Sequence, residues 1–394
     1  MPRSPLSSVT RHCPGRCKIF LSTFTKYFCS RQLRYGEYDP IDWVANAATL
    51  SQFYINQDNF KSARYHLACS RTVFEKHFPD YKNKLAEDKK EKVSECEAHL
   101  NRLCGKYGLC LLEFSQNHSV LSKVYKALEN IENPEDEAVE NPEFESLDVT
   151  EKLTEITDSK ITNWDTAKAA FLWSQKNLTS SQSFYSLDER CSDYVEITRD
   201  ISQLYKHLIA FETDNDRACK MHRRRADLLE PLLDKLSHSH YLLAVRQIMF
   251  ELGEIFSDLM ELKTKRWNEE PNNPHHAKKV NLMVSTAINY FIQFLDTMKV
   301  EGKHPEKYND ESVRPALLAR FHLGRLSSKF VVDENTEPHL RNTVTSFTRY
   351  KEIQDYCDRH EHGQAAIDQE FEICQEMTRL LPLKIEAIKR NLKK

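Results

Sequence analysis

The residues with most chemistry to offer lie in CKMHRRRADLLEPLL (Cys219–Leu233), where Lys220, His222, Arg223, Arg224 and Arg225 crowd together. Such a run could bind an anion or act as a nuclear address. The preceding FETDNDRACK supplies Glu212, Asp214 and Asp216, which can pair with these bases along one helix. A solvated, salt-bridged helix face is the expectation. In DRHEHG (Asp358–Gly363), His360 and His362 flank Glu361. Metal ligands two residues apart suit a strand, whereas on a helix they diverge. With no third ligand nearby, the segment reads as a surface loop, as do His275–His276 and His238/His240. His12 with Cys13 and Cys17 is too sparse for zinc.

The other ionisable residues form no recognised catalytic pattern. G-x-S-x-G, G-x-x-x-x-G-K-[ST], H-E-x-x-H and Gly-rich dinucleotide loops are missing from the sequence. No catalytic residue, metal ligand or cofactor is expected, and the reading is of a non-enzyme. The cysteines, 11 in number and scattered without a C-x-x-C, read as buried thiols of a reducing compartment, which points to the cytoplasm. A formal net charge of -3 argues against nucleic acid as partner. No stretch resembles a membrane span.

Elements that could position a binding surface are helices. Only 8 glycines occur in 394 residues, too few for a turn-rich sheet protein. Asp39 is placed to cap a helix with Pro40 in its first turn. Val44, Ala47, Ala48, Leu50, Phe53 and Tyr54 then recur at helical spacing, and Asn56–Asn59 interrupts them. Phe60, Ala63, Leu67, Ser70, Val73 and Phe74 resume the pattern. This is the order of a tetratricopeptide repeat, with Leu50-Ser51 at its Leu-Gly position and Ala63 its small second-helix residue. Leu252-Gly253 with Ala287 and Phe291, and Leu323-Gly324 with Ser346 and Tyr350, repeat it. Small residues let two helices approach, and large ones fill the gap. EFEICQEMTRLL and KIEAIKRNLKK, split by Pro382, should close the array. The fold expected is all-α, a TPR-like α-solenoid of antiparallel helix pairs.

From Glu129 to Glu151 there are ten acidic residues and no Lys or Arg, a composition that cannot bury enough apolar surface to order itself. Residues 131–152 are read as an acidic flexible linker between helical parts 31–130 and 153–394. Residues 1–30 carry Arg3, Arg11, Arg16, Lys18 and Lys26 without one acid. That pattern can mark a transit peptide, but a divergent, disordered extension is the reading preferred.

Several stretches resemble the kinesin-binding protein family (KIF-binding protein): YDPIDWVANAATLSQFYIN, AFETDNDRACKMHRRRADLLEPL, YLLAVRQIMFE, VRPALLARFHLGRL and EMTRLLPLKIE. The resemblance covers most of the chain beyond residue 30. It implies a TPR-like regulator whose concave groove clasps kinesin motor domains and holds them off microtubules, without catalysis. It also implies that this chain is amino-terminally truncated relative to the family. By matched position, Gln32 and Thr49 fall among the family's polar groove residues. Gln52, one turn after Thr49, is added on geometry. LDKLSHSH (Leu233–His240) matches a motor-contacting loop, giving Lys235, Leu236, Ser237 and Ser239 as further candidates. The expectation is an adaptor of microtubule-based transport, in the cytoplasm and associated with the cytoskeleton. A scaffold or chaperone-type adaptor is the alternative. It would need a Lys clamp on first helices, which the repeat around Leu50 does not offer.

Overall fold

A computed structural model describes residues 15–125, 144, 146–271 and 273–393. Among them every regular element is helical, apart from one isolated bridge between Val300 and Lys303. The chain divides into two compact units, Met1–Thr213 and Asp214–Lys394. Each is a succession of antiparallel helix pairs, the TPR-like α-solenoid arrangement. No described helix is long and apolar enough to cross a membrane.

The first unit contains α1 (Gly15–Tyr35), α2 (Pro40–Ile55), α3 (Phe60–His77), α4 (Tyr81–Lys84), α5 (Glu87–Tyr125), α6 (Thr150–Thr154), α7 (Trp164–Phe184) and α8 (Cys191–Ile209). Asp39 caps α2 as its sequence indicates: Oδ1 accepts from the backbone N–H groups of Ile41 (2.8 Å) and Asp42 (3.2 Å). The turn at 56–59 is closed by Asp58 at φ +58° and by Asn59, whose side chain accepts from Ser62 N at 2.9 Å. That tight turn forces α3 back along α2, burying Ala47, Leu50 and Ser51 with Ala63, Leu67 and Ser70. Ser51 takes the place of a glycine at no polar cost, because its hydroxyl donates to Ala48 O (2.7 Å).

A second close crossing joins α5 to α7. A Cβ on Gly105 would lie 2.4 Å from Leu178 Cγ, and one on Gly108 only 1.8 Å from Ser174 Oγ. Glycine is therefore what lets these helices touch. Trp43, fully buried on α2, donates its indole N–H to Cys29 O (3.0 Å) and ties α1 to the unit. Helix α1 thus runs through residues 15–30, which the sequence reading placed in a disordered extension, and the expected boundary at residue 31 falls inside it. The acidic linker expected at 131–152 lies mostly outside the described residues. Its described end is structured instead. Phe144 is buried against Trp43 and Tyr65, and α6 packs on α3. Helices on both sides of the acidic stretch belong to one unit, and the division falls at Thr213/Asp214 instead.

The second unit holds α9 (Asn215–Lys235), α10 (Leu242–Glu269), α11 (Pro274–Asp296), α12 (Val313–Ser327), α13 (Glu337–Arg359), α14 (Glu361–Ala366) and α15 (Asp368–Leu392). Consecutive helices pack as pairs. The Leu-Gly positions meet the rings expected of them: Gly253 lies under Phe291, and Gly324 under Tyr350. Pro382 does not split the terminal segment. Helix α15 continues through it, because Phe371, Cys374, Leu381, Ile385 and Ile388 bury one continuous stripe. That packing outweighs the ~3 kcal/mol a mid-helix proline costs.

Candidate partner-binding site

In the first unit the candidate residues sit on α1 and α2. Trp43, Ala47, Ala48 and Leu50 fix α2 from its buried side. Thr49 is exposed, and Gln52, one turn on, is half-buried. Thr49 Oγ1 donates to its own helix at Ala45 O (2.7 Å), leaving its lone pairs to solvent. Gln52 makes only a long contact, Nε2 to Ser51 Oγ at 3.5 Å. Gln32, on α1, is half-buried, and no described donor reaches its Oε1. The structure brings Thr49 and Gln52 onto one face of α2 and places Gln32 on the helix packed against it. These groups are neutral hydrogen-bonding partners on a rigid backbone. They can recognise polar groups, and none is a nucleophile or a general acid or base.

The other candidates belong to the second unit and occupy the turn from α9 to α10. Leu236 N donates to Leu232 O (2.9 Å) and Tyr241 N to Ser237 O (2.9 Å), so the turn is closed at both ends. His238 Nε2 donates to Leu233 O (3.1 Å). Lys235, Ser237 and Ser239 are exposed, with the two hydroxyls 3.1 Å apart. Leu236, by contrast, is only 5% exposed. It anchors the turn in the core, leaving Lys235, Ser237 and Ser239 as the part a partner can reach.

The basic run is a solvated face at Lys220, Arg223 and Arg224, as expected, but not at His222 and Arg225, which are buried. Arg223 does pair on the surface, with Asp227 (3.0 Å) and Glu230 (3.6 Å), which follow it instead of preceding it. Asp216 pairs with Arg266 of α10 (3.2 Å). Arg225 is fully buried, its Nη2 3.3 Å from Glu251 of α10 and its Nη1 donating to His222 Nδ1 (3.3 Å). Burial pulls this guanidinium below its usual pKa, and Glu251, Asp258 and Glu254 oppose that. It remains charged.

The histidines are structural. His360 caps α13 and its Nε2 lies 3.0 Å from Glu306 O; His362 Nε2, on α14, lies 3.2 Å from Tyr308 O and Tyr356 Oη. His360 lies in the extended break between α13 and α14, as the loop reading has it, whereas His362 belongs to α14, which corrects that reading for His362 alone of the two. His275 and His276 likewise start α11. Among the described residues no cluster of three His, Cys, Asp or Glu could hold a metal ion. Six described thiols are buried, and burial pushes Cys29, Cys96 and Cys374 up to about 12, so they are neutral.

His322 stacks on Phe291, ring centroids 4.8 Å apart and 3° from parallel. Burial first, then Arg325, pull it down to about 4 from 6.5. Between these values the unfolded chain binds a proton that the folded chain refuses, so stability falls as pH drops from 6.5 towards 4. His322→Phe is expected to flatten the pH dependence of the urea midpoint in that window. An unchanged slope would refute the assignment.

A family profile described as "KIF-1 binding protein C terminal" matches residues 41–388. Curated relatives named KIF-binding protein include those of Danio rerio (32% identical over 385 residues), Gallus gallus (32% over 381) and Homo sapiens (33% over 387). Each alignment covers 92% of this chain and 61%, 64% and 62% of the relative. The chain therefore spans somewhat under two thirds of their length.

Proposed function

This chain belongs to the KIF-binding protein family, and on that premise we propose that it binds kinesin motor domains and controls their engagement with microtubules. The observation that carries the reading is the match itself, which spans both compact units and includes α2 and the α9–α10 turn. The chemistry of the surfaces agrees with it. Thr49 and Gln52 offer uncharged donors and acceptors without a cation to repel a motor's basic, microtubule-facing side. Lys235, Ser237 and Ser239 offer a separate polar surface in the second unit, suited to an acidic or neutral element of a partner. Gln32, half-buried on α1, would contribute through the exposed part of its side chain, since its Oε1 is covered. The protein acts by occupying a surface, in the cytoplasm beside the cytoskeleton, and transforms nothing.

The test is a motor-domain pulldown with the full chain, followed by counting single motors landing on microtubules. Saturating protein is expected to suppress landing of at least one kinesin. Thr49→Ala with Gln52→Ala should weaken that binding about fivefold or more, roughly 1 kcal/mol for lost hydrogen bonds, with unchanged helicity. Normal landing of every kinesin tested would defeat the proposal.

A further inference from the structure

The first unit contains a recess, ≈ 320 Å³ of open volume, walled by α3, α5, α6 and α7. Its charged lining is Arg64, Arg71 and Lys152 against one acid, Glu155; Tyr107 and Trp173 supply aromatic walls. Two of the cations are already answered. Arg64 donates to Leu153 O (3.1 Å) and Ile156 O (3.0 Å) and pairs with Asp158 (2.5 Å). Lys152 lies between Glu75 (3.1 Å) and Glu155 (3.3 Å). The aromatic donors are answered too: Trp173 Nε1 reaches Glu155 (3.2 Å) and Tyr107 Oη reaches Thr157 O (2.9 Å).

Arg71 differs. Its Nη2 donates to neutral acceptors, Asn101 Oδ1 (2.6 Å) and Asn177 Oδ1 (3.3 Å), with Cys104 Sγ at 3.8 Å. Among the described residues no carboxylate pairs with it, and its Nε and Nη1 engage no acceptor. A guanidinium held in place by two buried amides, with donors and a full charge still to spare, is an arrangement suited to an incoming oxyanion. Arg64 Nε is a further buried donor without an acceptor. The apolar floor of Leu67, Ala68 and Ile156 fits the methylenes that carry such a group.

We propose that this recess receives the carboxylate of an acidic side chain from a protein partner, with Arg71 its principal ligand. Most of that volume is open to solvent, and the enclosed part has room for little more than a water-sized group, which suits the tip of one inserted carboxylate and not a cofactor. The surroundings make the site selective. Glu155 and Glu75 beside Lys152 discourage a multiply charged phosphate, whereas a single carboxylate adds one charge opposite Arg71. This inference stands apart from the proposed motor binding, because none of these residues is among the candidates on α1, α2 or the α9–α10 turn.

The test titrates the full chain with an acetylated, amidated Ala-Glu-Ala-Glu peptide, its glutamine counterpart, glutarate and inorganic phosphate, all at one ionic strength set with sodium chloride. Calorimetry and amide NMR report binding. Saturable binding of the glutamate peptide with shifts at Trp173 Nε1 is expected, and at least tenfold weaker binding of the glutamine peptide. Arg71→Met should lose at least tenfold in affinity, and Arg71→Lys should lose less. Because Arg71 also holds Asn101 and Asn177, Lys152→Gln serves as a second variant that spares those contacts, with about threefold loss expected. Equal binding of both peptides, preference for phosphate or free glutarate over the glutamate peptide, or undiminished binding by folded Arg71→Met would each overturn the proposal.

Discussion

Arg225→Met is expected to destabilise the unit 214–394 by about 3–5 kcal/mol, the largest loss foreseen for one substitution in this chain. The reason is asymmetry. Arg225 and Glu251 are 0% and 4% exposed, and removing the guanidinium leaves a carboxylate in the core without its counter-charge. His222 also loses its donor at Nδ1. Replacing both partners, Arg225→Met with Glu251→Met, removes the charge along with its penalty. The double variant should be far closer to the parent than the first single variant, because paired buried ions roughly break even against apolar side chains of similar volume. Urea unfolding followed through Trp267, in α10, gives the four corners of the cycle. A single-variant loss below about 1 kcal/mol would mean that water reaches Glu251 and that the pair is not a core element.

That pair also shows where sequence reading fails. Ala218, Met221, His222, Arg225, Ala226, Leu229 and Leu232 form the buried stripe of α9 at helical spacing, and Arg225 falls within it. The stripe was visible, but three consecutive arginines suggested one solvated face, and nothing local announced that Glu251 lay in the opposing stripe of α10. The pairing of α2 with α3 was legible because Asp39, Pro40 and Asn59 are local signals whose effect does not depend on distant chain. So were Gly253 with Phe291 and Gly324 with Tyr350, since the repeat sets their offset. The α5–α7 crossing was missed. Gly105 and Gly108 face Ser174 and Leu178 across the acidic stretch, beyond any repeat period. Pro382 misled for the opposite reason. A local rule about helix interruption was overridden by tertiary burial of Leu381 and Ile385. At the candidate site, exposure decided what spacing could not. Lys235, Ser237 and Ser239 are reachable and Leu236 is not, because a turn of this tightness sends one side chain inward. Arg64 and Arg71, seven residues apart on α3, share a helix face, yet only the fold reveals that Arg71 lacks an acid.

Gly253→Ala should destabilise the same unit by about 1–2 kcal/mol, although alanine is the better helix former by about 1 kcal/mol. An added Cβ would lie 2.7 Å from Phe291 Cζ and 2.9 Å from both Cε atoms. Whether this clash matters depends on whether the ring can retreat. Phe291 is fully buried, backed by the parallel ring of His322 and edged by Phe250 at 5.3 Å. Retreat therefore displaces two further rings, and the overpacking cost exceeds the propensity gain. Gly324 provides the control. A Cβ there would meet the Tyr350 ring at 3.1–3.2 Å, a few tenths of an ångström tight, so Gly324→Ala should fall near neutrality. Trimming the obstructing ring should rescue the first variant: Gly253→Ala with Phe291→Leu is expected to be less destabilised than the sum of the two changes, since the new methyl fills space that the ring vacates. If urea midpoints instead rank Gly324→Ala as the worse substitution, or show strict additivity at Gly253 and Phe291, the close approach of α10 to α11 is not set by this glycine.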